Sequence, residues 1–223
     1  MNLPVRFYDL TQPIYHNCPG WPGHRLTTVD WEFQRVNHGF NAERVSFTTH
    51  VATHIDAPYH FLAGGKTLDQ LPIDSFAGPV VFFDLRETVR PDSPITPADL
   101  EPGLDRVRKG DIAIVCTGYG RKYGFGEEYL RAYPYMSGPG AELLIKAGVK
   151  GVGTDALSWG GWGSDEKGRP PHLAVLPHGV WILEGLIIPD ELLDGKRRYL
   201  TCFPLLLKGC GGAPARAVVH DFD

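Results

Sequence analysis

Residues 50–60 read His-Val-Ala-Thr-His-Ile-Asp-Ala-Pro-Tyr-His, which packs three of the nine histidines and an aspartate into one short stretch. Neutral imidazole and carboxylate are the donors that Zn²⁺, Mn²⁺ or Fe²⁺ accept, and a metal site needs at least three of them converging. On a regular helix His50 and His54 share a face while Asp56 points away. In a strand all four side chains share a face, but His50 and His54 then lie about 13 Å apart, too far to chelate together. The spacing therefore predicts a strand through roughly 43–50 that curls into a loop or helical turn and folds Asp56 back onto both imidazoles. Pro58 limits any helix there. A lone pair of histidines is commonly a hydrogen-bonded core pair; Asp56 and His60 in the same stretch argue for a metal instead.

A second constellation lies near the C-terminus. Glu184 ends the apolar run Val180-Trp181-Ile182-Leu183, where a carboxylate is costly unless it is paired, protonated or bound to a cation. His172 or His178 could be its partner, and the sequence does not choose between them. Ala156-Leu157-Ser158-Trp159-Gly160 imitates a nucleophile elbow, with Asp190 and His220 following in hydrolase order. An elbow needs a helix directly after the serine, however, and here a Gly/Trp loop with Pro170-Pro171 is expected. Ser158 reads better as a pocket-wall residue.

The elements that must position these groups belong to a chain of 223 residues with a formal net charge of −4, 43% hydrophobic and 22% charged. That usage excludes disordered and fibrous classes and supports one domain over 1–223. Mild acidity gives no field for gripping phosphate backbones, so nucleic acid is not the expected partner. The 27 glycines and 19 prolines predict many tight turns and a β-rich α/β fold with short helices. Runs of β-branched and aromatic residues predict strands near 27–35, 43–51, 79–85, 111–117, 149–154, 180–187 and 199–207. Thr96, Pro97 and Asp99 read as N-cap, N1 and N3 of a helix. Ser137 precedes a second helix that stops at Gly148, and Glu127–Tyr133 is a weaker candidate. The four cysteines, Cys18, Cys116, Cys202 and Cys210, are widely spaced and expected to be free thiols. With no signal-peptide apolar region at Met1-Asn2-Leu3-Pro4-Val5-Arg6 and no membrane-length apolar run, the expectation is a cytoplasmic protein.

The 50–60 stretch resembles the H-x-G-T-H-x-D-x-P-x-H motif of the cyclase family of metal-dependent hydrolases. Asp9-Leu10-Thr11-Gln12-Pro13, Trp21-Pro22-Gly23, Gly151–Ser158 and Pro204–Lys208 add to the likeness, which covers nearly the whole chain. Ala52 stands where the family has Gly, so a left-handed backbone there would be strained. Trp159-Gly160-Gly161-Trp162-Gly163 also departs, since many relatives have an aspartate soon after the serine. The resemblance implies a swivelling β/β/α fold and a homo-oligomer. It implies that His50, His54 and Asp56 bind one divalent metal, Zn²⁺ first and Mn²⁺ second. Asp56 would bridge to a second metal on His172 and Glu184, with His60 as general acid/base and Trp21 facing an aryl substrate. The implied activity is hydrolysis of a small amide, N-formylkynurenine, with isatin or a lactone as the alternative substrate; a non-catalytic metal- or ligand-binding protein is the rival class.

Overall fold

The computed structural model describes residues 5–222; the Met1-Asn2-Leu3-Pro4 opening, on which the leader reading partly rests, lies outside the described residues. In chain order the strands are β1 (Arg6–Asp9), β2 (Thr28–Phe33), β3 (Ala42–Ser46), β4 (His54–Asp56), β5 (Ala77–Asp84), β6 (Pro94–Ile95), β7 (Ile112–Cys116), β8 (Tyr135–Met136), β9 (Gly151–Thr154), β10 (Trp181–Glu184), β11 (Arg198–Pro204) and β12 (Gly212–Asp221). The helices are α1 (Arg35–His38), α2 (Pro97–Leu104), α3 (Glu127–Leu130), α4 (Gly138–Lys146) and α5 (Asp165–Val175).

One sheet runs β1-β12-β11-β5-β7-β9-β10-β4, and β4 returns to pair with β12, closing the sheet on itself. Within this sheet β5, β7, β9 and β10 are mutually parallel, while the other pairings are antiparallel. Parallel strands are covered on both faces, which is why β7 reads as the unbroken apolar run Ile-Ala-Ile-Val-Cys. Val80, Phe82, Ile112, Ile114, Trp181 and Leu183 fill the interior of the closed sheet. Val81, Phe83, Val115, Val152 and Ile182 point outward, beneath Leu100 of α2, Leu144 of α4 and Val175 of α5. The result is the β-rich α/β class with short helices that composition predicts.

Local chemistry sets several boundaries. Thr96 and Asp99 form a reciprocal capping box at the start of α2. Ser137 Oγ accepts the Gly140 N–H at 3.1 Å to cap α4, and Gly148 turns left-handed (φ 81°) beyond its end. Three expectations need correction. The run 43–51 is strand only to Ser46, because the chain must turn at left-handed Ala52 before β4. β12 is missing from the sequence reading: its Gly-Ala-Pro-Ala-Arg start carries little strand propensity, yet β11, β4 and β1 all take its backbone groups. The Pro170-Pro171 stretch is helical rather than loop, both prolines lying inside α5. Pro171 has no N–H for the Lys167 carbonyl, and that carbonyl accepts the Gly161 N–H instead, at 3.1 Å.

Gly151 sits in register with Trp181, whose indole lies across it. A β-carbon at Gly151 would fall 2.5 Å from Cε2 and Cη2 of that fully buried ring. Gly151→Ala is expected to lower stability by about 1–3 kcal/mol through overpacking. Gly124→Ala, where a β-carbon would meet only the Lys122 carbonyl at an ordinary 3.6 Å, should stay within about 0.5 kcal/mol of the parent. Denaturant midpoints compare the two; equal midpoints would refute this account of the β9–β10 contact.

Candidate metal centre

β4 and β10 carry the heart of the site. His54 and Asp56, two residues apart on a strand, share its outer face, while Ile55 between them enters the core. Glu184 is the antiparallel partner of His54, so the pairing itself sets a carboxylate beside the imidazole at the C-terminal end of a parallel strand. His172 comes down from α5 above. The motif is therefore a turn followed by a strand, not a strand followed by a turn as its spacing suggests. His50 reaches Asp56 from the loop before the turn, where Ala52 holds a left-handed backbone (φ 51°) that disfavours any residue with a β-carbon.

Thr53 pins this turn. Its hydroxyl donates to the Gly185 carbonyl at 2.5 Å and accepts the Gln12 N–H at 2.8 Å. Gly185, left-handed at φ 69°, passes so close to the Ala52 carbonyl that a β-carbon would lie 2.5 Å from its oxygen. These contacts give physical meaning to the 9–13 segment. The 151–158 segment works similarly: Asp155 accepts the Thr117 N–H and hydroxyl at 2.7 and 2.6 Å, and Ser158 Oγ donates to Glu184 Oε1 at 3.0 Å. The Trp159 N–H donates to that same oxygen at 2.6 Å.

The donor atoms converge. His54 Nε2 lies 3.4 Å from Asp56 Oδ1 and 3.3 Å from Glu184 Oε2. His172 Nε2 lies 3.4 Å from Glu184 Oε1 and 3.7 Å from Asp56 Oδ2. His50 Nδ1 donates to Asp56 Oδ1 at 2.6 Å, and His60, stacked on His50 at 3.9 Å between ring centres, has Nε2 3.9 Å from Asp56 Oδ2. The structure thus brings together all six residues singled out from the sequence, and it places His172, not exposed His178, in the cluster. Glu184 faces both His54 and His172 rather than His172 alone.

Two tests ask whether these groups fit a cation. His54 Nδ1 donates to the Ala52 carbonyl and His172 Nδ1 to the Gly168 carbonyl, at 2.9 and 2.7 Å. Since a carbonyl only accepts, each neutral ring turns a bare Nε2 lone pair inward, the orientation second-shell partners give metal ligands. His54 Nε2 and Asp56 Oδ2 are nevertheless buried without a hydrogen-bond partner. Ligands about 2.0–2.1 Å from a tetrahedral centre stand about 3.3–3.4 Å apart, close to the spacings observed. The donor set fits a divalent cation.

The two carboxylates also act on the protons of the surrounding imidazoles. Burial works against charge on His54, but Asp56 and Glu184 overcome it and raise its pKa to about 10. Burial and the Asp56 charge push Glu184 upward, yet the close imidazoles of His172 and His54 prevail and hold it at about 2. Burial, opposed by Asp56 and reinforced by His50 and His172, keeps His60 below its ordinary value.

A cavity of about 490 Å³ opens over the cluster. Trp21 lines it, edge-on to Trp162 at 4.9 Å between ring centres. Phe61, which follows the motif and carried no sequence signal of its own, stacks on His172 at 4.4 Å. The serine-hydrolase constellation is dispersed. Ser158 serves Glu184, Asp190 pairs with Arg86 and Arg121, and His220 bonds Thr201 Oγ1 on a different part of the sheet.

Buried carboxylates among imidazoles, one of them at the end of a parallel strand, lie beneath an open cavity and suit a metal-dependent hydrolase. Comparison with known proteins agrees: residues 8–160 match the family described as "Putative cyclase", and the chain belongs to the cyclase family. It is 28% identical to the kynurenine formamidase of Bacillus cereus, over 95% of this chain and 96% of that one. A solved structure described as a potential metal-dependent hydrolase with cyclase activity is 29% identical, with a TM-score of 0.80 over 99% of this chain and 100% of that one. Isatin hydrolase A from Labrenzia aggregata, bound to benzyl benzoate, shares the fold at a TM-score of 0.86 and 21% identity, over 98% of this chain and 94% of that one.

Removing the His54 imidazole strips two buried carboxylates of a compensating group, a change that costs about 3–5 kcal/mol when a buried pair is broken. His54→Ala is expected to lose bound metal and to unfold at lower denaturant. His54→Gln, which keeps a hydrogen-bonding side chain, should fold better but still lose metal. Elemental analysis after dialysis, with denaturant titration, checks both; metal content equal to the parent in either variant would contradict the assignment.

Proposed function

We propose that this chain hydrolyses the formamide of N-formylkynurenine, releasing kynurenine and formate. The observation that carries the reading is the buried Asp56–Glu184 pair among imidazoles at the floor of an aromatic-walled cavity. In this reading residues 1–223 form one catalytic unit. His50, His54 and Asp56 would hold one divalent cation, and His172 and Glu184, with Asp56, would hold a second. Zn²⁺ is preferred over Mn²⁺, because nitrogen-rich ligation at these spacings suits it. Such a cation supplies an acidified water and a polarised carbonyl when bound.

The protein's own groups do the rest. Trp21 and Trp162 offer ring edges and faces against which an aryl group packs. His60 keeps three-tenths of its side chain open to the cavity, and burial, which disfavours its charged form, leaves it neutral at pH 7 with a ring nitrogen free to take a proton. It takes the proton from the attacking water and returns it to the nitrogen of the departing aryl amine as the C–N bond breaks. Asp56, against His60 Nε2, steadies the imidazolium between those two transfers.

The unit is further proposed to work as a cytoplasmic homo-oligomer. In support, the β2–β3 hairpin exposes Trp31, Phe33, Val36, Phe40 and Val45, and an uncovered two-stranded hairpin is only marginally stable in water. Cys18, Cys116, Cys202 and Cys210 are all free, as a reducing compartment requires.

Side-by-side kcat/KM values for N-formylkynurenine, isatin, a simple lactone and an aliphatic formamide, each with Zn²⁺ and Mn²⁺ protein, test the substrate. The formylated aryl amine should lead; a lead for isatin or the lactone would overturn the formamidase reading. His60→Ala should cost about 10²–10⁴ in rate while metal stays bound, and loss of metal in that variant would make His60 a ligand. Light scattering should give a mass above one chain, falling in Trp31→Glu.

A further inference from the structure

Arg169 lines the cavity, and no carboxylate within ion-pair distance of it is found among the described residues. Its guanidinium lies over the face of Phe61, 5.9 Å from the ring centre, and Phe61 in turn stacks on His172. The charge therefore stands one aromatic ring away from the metal cluster. Asp165 also lines the cavity and has no ion-pair partner among the described residues. On α5, positions 165, 169 and 172 share a face; Arg169 is one turn above His172 and Asp165 a further turn beyond, about 4.5 and 10.5 Å along the axis. An acid four residues before an arginine on a helix would ordinarily close an ion pair. Here the two charges stay apart, and both border the cavity.

We propose that Arg169 and Asp165 are specificity residues that read an α-amino acid tail: the guanidinium binds the carboxylate, and Asp165 takes the ammonium. The inference rests on the aryl-formamide reading for the end of the substrate that reacts, and adds what the other end must carry. In this reading the formamide nitrogen sits at the cluster, the ring against Trp21 and Trp162, and the zwitterionic tail at Arg169 and Asp165 on α5. Among the described residues lining the cavity, Arg169 is the one guanidinium or ammonium, the other basic groups being imidazoles, so removal of this one charge should be felt. Charge-assisted hydrogen bonds of this type change affinity by about tenfold to a hundredfold.

The test compares N-formylkynurenine with 2-formamidoacetophenone, which keeps the aryl ketone but lacks the tail, on the metal-loaded parent, Arg169→Gln and Asp165→Asn. The parent should favour the tailed substrate by about tenfold to a hundredfold in kcat/KM. In Arg169→Gln that preference should collapse towards unity, through KM rather than kcat. Asp165→Asn should lose about threefold to tenfold on the tailed substrate, and only while its amine is present. A parent without preference, or a preference that survives Arg169→Gln, overturns the proposal. Binding of kynurenine and of 2-aminoacetophenone, read by quenching of protein tryptophan fluorescence, separates this inference from the formamidase reading. If neither formamide is cleaved yet kynurenine binds more tightly in an Arg169-dependent way, the tail site stands and the chemistry is reassigned. Equal binding of both compounds, or binding indifferent to Arg169, removes the tail site.

Discussion

Two carboxylates buried side by side repel each other, and neither can stay ionised without positive charge supplied close by. Asp56 and Glu184 are in that position, and much of the molecule answers to it. His50, His54, His60 and His172 surround them; the backbone N–H of Trp159 and the hydroxyl of Ser158 satisfy Glu184 from behind. Protons on the imidazoles are one way to meet the requirement. A divalent cation meets it better, because it neutralises both carboxylates at once and satisfies the lone pairs that hydrogen bonds leave bare.

Such a cluster has to be held rigidly, and the support comes from backbone rather than from long side chains. His54 and Glu184 are fixed by strand register, His172 by a helix whose own carbonyl at Gly168 orients the ring. The helix is anchored by an irregularity: with two prolines it surrenders backbone bonds, and one freed carbonyl ties down the Gly160-Gly161 loop. A β-carbon at Gly161 would meet the Tyr135 ring at 2.7 Å, so the loop can lie against its neighbours only with glycine there. The left-handed Ala52 shows a cost accepted at the same place. Strain in sparsely populated backbone conformations gathers where geometry is over-determined by function, and Ala52 sits between His50 and His54, its carbonyl accepting the Nδ1–H of His54.

Above the cluster the chemistry changes by layers. The floor is charged, the walls are aromatic, and Arg169 and Asp165 add separated opposite charges to the lining. This order suits a substrate whose reacting amide, ring and polar tail differ in the same sequence. It also explains why a cavity so close to ionised groups is lined by Trp21, Phe61 and Trp162: low-polarity walls strengthen electrostatic interactions at the floor.

The sequence by itself determined the donor set. His50, His54, Asp56 and His60 are legible because four ligand-type residues in one short stretch have no ordinary structural use, and Glu184 because an acid ending an apolar run needs a partner. It also determined the capped helices and the buried parallel strands, whose signals are local: a Thr96–Asp99 cap or the period of an apolar run needs no distant residue. What only the tertiary structure decided depends on contacts between remote segments. The choice of His172 over His178 follows from where α5 crosses β10. The strand at β12 exists because three neighbours pair with it, the helix at Pro170-Pro171 because packing and the Gly161 N–H make up for its lost bonds. Arg169 and Phe61 had no motif to mark them; they became visible once the helix set them over the cavity, since a side chain's exposure and partners are properties of the folded surface and not of its neighbours in the chain.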